Sequence, residues 1–157
     1  MKKLLMIALV CAATFSLKAN VEGFFMLSMF SPGQLPVPMT HLYGGRLTFF
    51  YGECQELFGL DLGGVGRVRE RMYGAQLGFG HVVGTDAAGL QLGLAEFVES
   101  ELDGCQIGIY NDVAGTTRGL QLGIVNYTSN LVGCQIGLVN IASNHKCSVL
   151  PFINIRW

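Results

Sequence analysis

The sequence predicts an all-β protein, a parallel β-solenoid built from eight repeats of about 15 residues. One pattern recurs from residue 44 to residue 157 at this nearly constant spacing, and its clearest copy, at 119–126, reads GLQLGIVN. Positions 2, 4 and 6 of the repeat are apolar and position 3 is polar, which is the alternation of a strand and not the spacing of a helix. The copies begin at Gly44, Gly59, Gly74, Gly89, Gly104, Gly119, Gly133 and Cys147.

Residues 1–19 are predicted to be a secretory signal peptide. Lys2 and Lys3 precede an apolar stretch of about 12 residues, and the residues up to Ala19 form an acceptable cleavage site. The stretch is shorter than the roughly 20 residues that cross a bilayer as a helix. We therefore expect an exported protein, located at the cell surface, in the outer membrane or in the periplasm.

Residues 20–43 are predicted to form an N-terminal cap or entry strand ahead of the array at 44–157. The run from Phe24 to Phe30 has strand character, and the prolines at 32, 36 and 38 indicate an extended or turning connection. A repeat array needs such a segment because its first strand would otherwise leave an open edge.

The repeat pattern predicts an apolar core at positions 2, 4 and 6, counted from the leading glycine, and a variable edge at positions 9 to 15 that faces solvent. Position 4 is Leu or Ile in all eight copies. On this assignment Leu122→Asp should unfold neighbouring repeats, whereas Thr117→Asp should change the stability little.

Amide side chains recur at two further positions, and we expect them to form ladders. Parallel stacking would place each amide over its counterpart about 4.8 Å away, where a donor meets an acceptor. Glycine fills position 5 in six copies, and a short polar residue at position 8 suits a tight corner. The predicted ladder residues are Gln76, Gln91, Gln106, Gln121 and Gln135 at position 3, and Asn111, Asn126, Asn140 and Asn154 at position 8.

A small antiparallel β-barrel of the outer membrane is the alternative fold. A strand of about ten residues plus a turn has the same period, and the chain ends on an aromatic residue, Trp157. The array and entry segment would, however, make about nine strands where bacterial barrels have an even number, and glycine would fill a lumen poorly. The solenoid is therefore the first prediction and the barrel the second.

Position 2 alternates between large and small side chains. A flattened rung of 30 residues with two strands would explain this, because leucine would stack on one wall and small residues on the other. It would place Cys105 over Cys134 at about one strand spacing, whereas a rung of 15 residues would hold them beyond disulfide reach. The sequence leaves both rung lengths open. The alternating residues are Leu60, Ala75, Leu90, Cys105, Leu120 and Cys134.

The repeats closely resemble the bacterial surface-repeat proteins built of Gly-x-Gln-x-Gly-x-x-Asn units. The likeness lies in GLQLGIVN at 119–126, GCQIGLVNI at 133–141 and LPFIN at 150–154. It covers nearly all of the mature chain and implies an exported, surface-associated protein with no established activity. A weaker resemblance of QIGLVNIA at 135–142 to curli-type amyloid subunits implies self-association as a further option.

No combination of residues predicts catalysis, a cofactor or a metal site. The histidines lack metal-ligand spacing and are expected in corners or loops, with His81 in the place of a corner Asn. An acidic run is expected on a solvated corner, with a site for a cation or a basic partner as the alternative. Three arginines are expected to point outward, with an anionic glycan or lipid head group as the alternative ligand. These residues are His41, His81 and His145; Glu96, Glu99, Glu101 and Asp103; and Arg67, Arg69 and Arg71.

Composition narrows the function further. Of the 157 residues 50% are hydrophobic and 13% charged, with a net charge of -1, whereas soluble domains carry about 25% charged residues. This balance predicts no nucleic-acid partner. We therefore expect a structural or interaction module that binds a protein, glycan or membrane partner at the variable edge. Anchoring or transport would be the role of the alternative barrel.

Overall fold

A computed structural model describes residues 21–30, 33–35, 40–144 and 148–157. The predicted signal peptide, most of the proline-containing connection, His145 and Cys147 lie outside these ranges. Every regular element within them is a strand. The strands are β1 (Val21–Phe30), β2 (Gly33–Leu35), β3 (Thr40–Cys54), β4 (Glu56–Val68), β5 (Met72–Val83), β6 (Ala87–Leu92), β7 (Ala95–Val98), β8 (Leu102–Ile107), β9 (Tyr110–Leu122), β10 (Val125–Ala142) and β11 (Val149–Arg156).

The strands stack in parallel as a β-solenoid of about seven turns, which confirms the predicted fold. Leading glycines of successive copies are paired in the ladders, as Gly44 is with Gly59 and Gly59 with Gly74. The sheet extends from β2 at one end to β11 at the other without closing on itself. The alternative antiparallel barrel is therefore excluded.

Each turn is a single 15-residue rung with two walls. The first wall runs from position 14 of one copy to position 4 of the next, as β6 and β8 do, and the second covers positions 7 to 10, as β7 does. Side chains meet between the walls, where Gln121 Nε2 donates to the carbonyl oxygen of Tyr127 at 3.1 Å. The chain bends between the walls at positions 5 and 6 and again at positions 11 to 13.

Of the two rung lengths that the sequence leaves open, the 30-residue rung is therefore excluded. Cys105 and Cys134 both pair with Leu120, one on each side of it, so they are two rungs apart. Both are free thiols. The alternation at position 2 lies within one column of stacked residues and needs another explanation.

The side chains at positions 3, 8, 10 and 14 point inward, which reverses the predicted core. Leu122 at position 4 is 40% exposed, whereas Thr117 at position 14 is fully buried. The amides can be buried because their neighbours in the stack satisfy their hydrogen bonds. The apolar side chains that alternate with them along the strand therefore point outward. The buried apolar residues are Met26, Leu42, Cys54, Leu57, Val68, Met72, Val83, Ala87, Val98, Leu102, Val113, Leu131 and Ala142.

The last copy does not continue the solenoid, because β11 pairs antiparallel with β10. The leading glycine of each of the seven preceding copies has a positive φ, between 134° and 146°. The eighth copy has Cys147 in that place and Pro151 at position 5, and neither residue suits the backbone that a further turn requires. At the other end β1 lies parallel to β3, and β2 lies antiparallel to β1.

Candidate functional site: an apolar face over a polar core

The outer surface beside the position-5 bend is apolar on every turn. Positions 2, 4 and 6 of the seven copies that begin at Gly44 through Gly133 contain no charged residue and no amide or hydroxyl group. We call this surface the apolar face. Eleven of its Leu, Ile and Phe side chains are 39 to 67% exposed, among them Leu92 at 40%, Leu94 at 51% and Phe79 at 67%.

Two shallow grooves lie along the bend, between the position-4 and position-6 columns. One has a volume of about 600 Å³ and is lined by Ile109, Leu122, Ile124 and neighbouring aliphatic residues. The other, of about 520 Å³, is lined by Leu47, Phe79 and their neighbours. Position-5 glycines line both grooves. A larger residue does not fit there, because a Cβ at Gly63 or Gly123 would lie within 2.4 Å of a carbonyl oxygen of the preceding rung.

The predicted glutamines form one ladder through the core, and all are fully buried. Each Nε2 donates to Oε1 of the glutamine one rung earlier, and the second proton of Gln135 reaches the carbonyl oxygen of Ile141 at 3.1 Å. The first glutamine donates to Asp61 Oδ2 at 3.2 Å. Along Gln76, Gln91, Gln106, Gln121 and Gln135 the successive distances are 3.0, 2.9, 2.8 and 2.8 Å.

The asparagines form a second, shorter ladder of the opposite polarity. Asn111 Nδ2 donates to Asn126 Oδ1, and Asn126 Nδ2 to Asn140 Oδ1, both at 2.7 Å. Asn154 is not part of it: because β11 is antiparallel, its Nδ2 donates to Gln135 Oε1 at 2.9 Å and extends the glutamine ladder. The three ladder asparagines are buried in strands, so the corner role predicted for them is wrong. Outside glycine, the described residue with a positive φ is Phe152.

A buried ion pair stands where the glutamine ladder begins. Arg46 Nε donates to Asp61 Oδ1 at 2.9 Å, and Arg46 Nη1 donates to Cys54 Sγ at 3.2 Å. Burial alone would raise the pKa of the Asp61 carboxyl, but the hydrogen bonds and charge of Arg46 outweigh it and hold that pKa below its usual range. Burial raises the pKa of the Cys54 thiol to about 11, so this cysteine is an unreactive core residue. Gly66 leaves room for the pair, since a Cβ there would lie 2.8 Å from Arg46 Nη2.

His81 and Glu96 occupy position 8 in consecutive copies, ahead of the asparagine ladder. His81 Nδ1 lies 2.8 Å from Glu96 Oε2, and the two residues are 1% and 0% exposed. Burial raises the pKa of the Glu96 carboxyl, against the opposing effect of His81. Asn111 Oδ1, one rung further on, is buried without a hydrogen-bond partner. The predictions of a corner histidine at His81 and a solvated carboxylate at Glu96 are therefore wrong.

The sequence did contain a signal for both buried pairs. Arg46 and Asp61 stand at position 3 in consecutive copies, where later copies have Gln, and His81 and Glu96 do the same at position 8. In a parallel stack, residues at one position of consecutive copies are direct neighbours. Two adjacent replacements, one basic and one acidic, therefore indicate side chains that are direct partners in the stack.

The other charged residues considered lie on the outside. Arg69 Nε is 2.7 Å from Glu53 Oε1, and Arg71 Nη2 is 2.8 Å from Glu56 Oε1. Arg67, like these two, has a side chain about half exposed, which agrees with the predicted outward orientation. Arg118 Nη1 lies 2.6 Å from Glu101 Oε2 and 3.8 Å from Asp103 Oδ1. These arginines already have carboxylate partners within the chain.

Across the described ranges no three histidine, cysteine or acidic side chains are grouped as metal ligands would be. The same ranges contain no helix of the length and apolarity needed to cross a membrane. No protein-family model, curated protein or solved structure matches this chain.

Proposed function

We propose that this protein is an exported, surface-associated structural and interaction module without catalytic activity, and that the apolar face is its binding surface. The observation that carries the proposal is the reversed arrangement of the rungs, with amides inside and Leu, Ile and Phe outside. Contiguous exposed apolar surfaces of more than a few hundred Å² are unusual on soluble monomers and mark interaction sites.

The energetics of the rung support a surface selected for binding. The exposed part of each Leu and Ile at position 4 gives no folding free energy from burial, yet these residues recur there in every copy. Polar residues at these outward positions would be compatible with the same backbone. Burial of the face against a partner would supply the free energy that the isolated chain forgoes.

The buried ionisable groups support a structural role for the interior. Arg46, Asp61 and His81 are each 1% exposed and Glu96 is fully buried. A general acid or base must reach the proton that it transfers, directly or through one water. These groups instead satisfy one another inside the stack.

Site-specific photo-crosslinking in the cell that produces the protein tests the proposal. A photoreactive amino acid replaces Leu92, on the apolar face, or Ala114, an exposed residue at position 11 on the far side of the rung. We expect crosslinked products from position 92 and none from position 114. Protease treatment of intact cells, followed by mass analysis of the mature N-terminus, tests the exported location in the same samples.

Equal crosslinking from the two positions, or none from either, would contradict the assignment of the apolar face as the binding surface. Full protection of the chain from protease, with residues 1–19 still attached, would contradict the surface location. The two results are independent, so each part of the proposal is tested separately.

A further inference from the structure

The alternation at position 2 forms one outward-facing column across the whole solenoid. The register places Leu60, Ala75, Leu90, Cys105, Leu120 and Cys134 on successive rungs. It also adds Phe25 and Gly45 before Leu60, and Ile155 of the antiparallel strand after Cys134. The column therefore alternates strictly between a large and a small residue on nine neighbouring strand segments.

Stacking within one chain does not require this alternation. The neighbouring position-4 column carries Leu or Ile on every rung, at the same spacing of about 4.8 Å. Leucine on consecutive rungs is therefore tolerated on this wall. The small residues leave hollows, and the hollows are separated by protruding side chains such as Leu60, which is 41% exposed.

We propose that the occupant of the apolar face is a second copy of this chain, held by a two-fold axis that runs parallel to the strands and between two rungs. Such an axis reverses the order of the rungs, and places each large residue of one copy over a small residue of the other. In one register Leu90 faces Cys105 of the second copy and Leu120 faces its Ala75. In the register shifted by one rung Leu60 faces Cys105, and Leu90 faces Ala75.

The size of the face matches a stable dimer. Eleven of its sixteen Leu, Ile and Phe residues are 39 to 67% exposed, and at about 80 to 90 Å² each these eleven offer about 900 to 1,000 Å² per copy. A standard interface buries about 800 Å² and 20 to 30 residues on each side. A lipid surface would use the same apolarity, but a fluid phase has no fixed spacing that alternating knobs and hollows would match.

This inference rests on the proposed function and names the partner. Sedimentation equilibrium of the mature chain measures the dimer dissociation constant for the wild type and for Cys105→Leu, which fills a hollow. We expect a wild-type dimer, weakened about tenfold or more by the substitution, because overpacking an interface column costs complementarity. Circular dichroism and the unfolding midpoint at a concentration where both are monomeric establish that the variant is folded.

Compensating changes identify the register. Leu90→Ala combined with Cys105→Leu exchanges knob and hollow in the first register and should restore the dissociation constant to within a few-fold of the wild type. Leu60→Ala combined with Cys105→Leu should do so in the shifted register. Restoration by one of these double variants supports the proposal, and restoration by neither overturns it.

Flotation with phosphatidylcholine vesicles distinguishes a lipid occupant. A monomeric wild type that floats with vesicles, more strongly after the apolar Cys105→Leu change, would overturn the dimer while leaving the proposed function intact. A monomeric wild type that does not float would also overturn the dimer. The photo-crosslinking from Leu92 then shows whether the face binds anything else, so the two proposals fail separately.

Discussion

The reversed core predicts that Thr117→Asp destabilises the protein far more than Leu122→Asp. Thr117 is fully buried at position 14, paired in the ladders with Leu102 and Leu131 on the adjoining rungs. Its Oγ1 donates to Thr128 Oγ1 at 3.0 Å. If the apolar positions 2, 4 and 6 formed the core, Leu122→Asp would be the more destabilising change. Comparing the two variants therefore distinguishes an apolar core from the polar core of the structure.

The magnitudes follow from the two environments. An aspartate at 117 would bury a carboxylate between Leu102 and Leu131, beside the Thr128 hydroxyl, and a buried carboxylate without a cation partner costs about 3 to 5 kcal/mol of unfolding free energy. Leu122 is 40% exposed and its side chain points outward. Replacing it with aspartate loses only part of an apolar contact, about 1 kcal/mol.

Urea unfolding followed by circular dichroism near 218 nm measures both losses, at a concentration low enough that association does not contribute. Thr117→Val is the matched control, because it keeps the shape and removes only the hydroxyl, at about 1 kcal/mol. Equal losses for the two aspartate variants, or a larger loss for Leu122→Asp, would refute the inward orientation of position 14.

Three further predictions concern the ladders and the leading glycines. Gln106→Leu leaves Gln91 Oε1 buried without its donor and should cost about 2 to 4 kcal/mol, measured by urea unfolding. Burial raises the pKa of Glu96 above its ordinary 4.5, so the stability that this group contributes is lost as pH rises from 4.5 through the folded-state pKa. Glu96→Gln removes that loss and supplies a donor for Asn111 Oδ1, so the variant should gain about 1 kcal/mol over the wild type at pH 8 and less at pH 4. Gly104→Ala would bring a Cβ against the carbonyl oxygen of the preceding rung at a φ of 146°, and should lower the melting temperature by several degrees.

Each of these has a result that counts against it. A Gln106→Leu variant as stable as the wild type would mean that the ladder hydrogen bonds contribute little to the fold. A Glu96→Gln variant that is less stable than the wild type at pH 8, with a smaller loss at pH 4, would mean that the ionised carboxylate is the stabilising partner of His81. For the glycine, Gly45→Ala is the control, because its Cβ would lie 3.6 Å from the Phe25 ring in ordinary contact and should be tolerated.

The sequence was sufficient for the secondary structure and for the stacking direction. A period of 15 residues, with glycine at fixed places and alternating polarity between them, is incompatible with helices. Recurrence of Gln and Asn in unchanged order favoured parallel stacking, since only then does each amide meet its counterpart. The glutamine ladder from Gln76 to Gln135 lies where this argument placed it, at donor–acceptor distances of 2.8 to 3.0 Å.

The end of the array is harder to predict from the repeat pattern. The eighth copy keeps Leu150 and Asn154 in the expected places but lacks glycine at positions 1 and 5. The apolar matches alone suggest one more turn. The leading position requires a positive φ, however, and the absence of glycine there indicates that the turn does not form. The chain therefore turns back, and Asn154 joins the glutamines.

The repeat, its strands and the neighbours of each residue along a column can be predicted from the amino-acid sequence, because these follow from a period and from local backbone preferences. Which side of the wall faces inward depends on contacts between rungs and is visible in the folded molecule alone. An alternating strand has two faces, and the usual rule buries the apolar one. Here the stacked amides, the Arg46–Asp61 ion pair and the His81–Glu96 hydrogen bond satisfy one another at the spacing of the rungs, so the polar face is buried and the leucines are left outside.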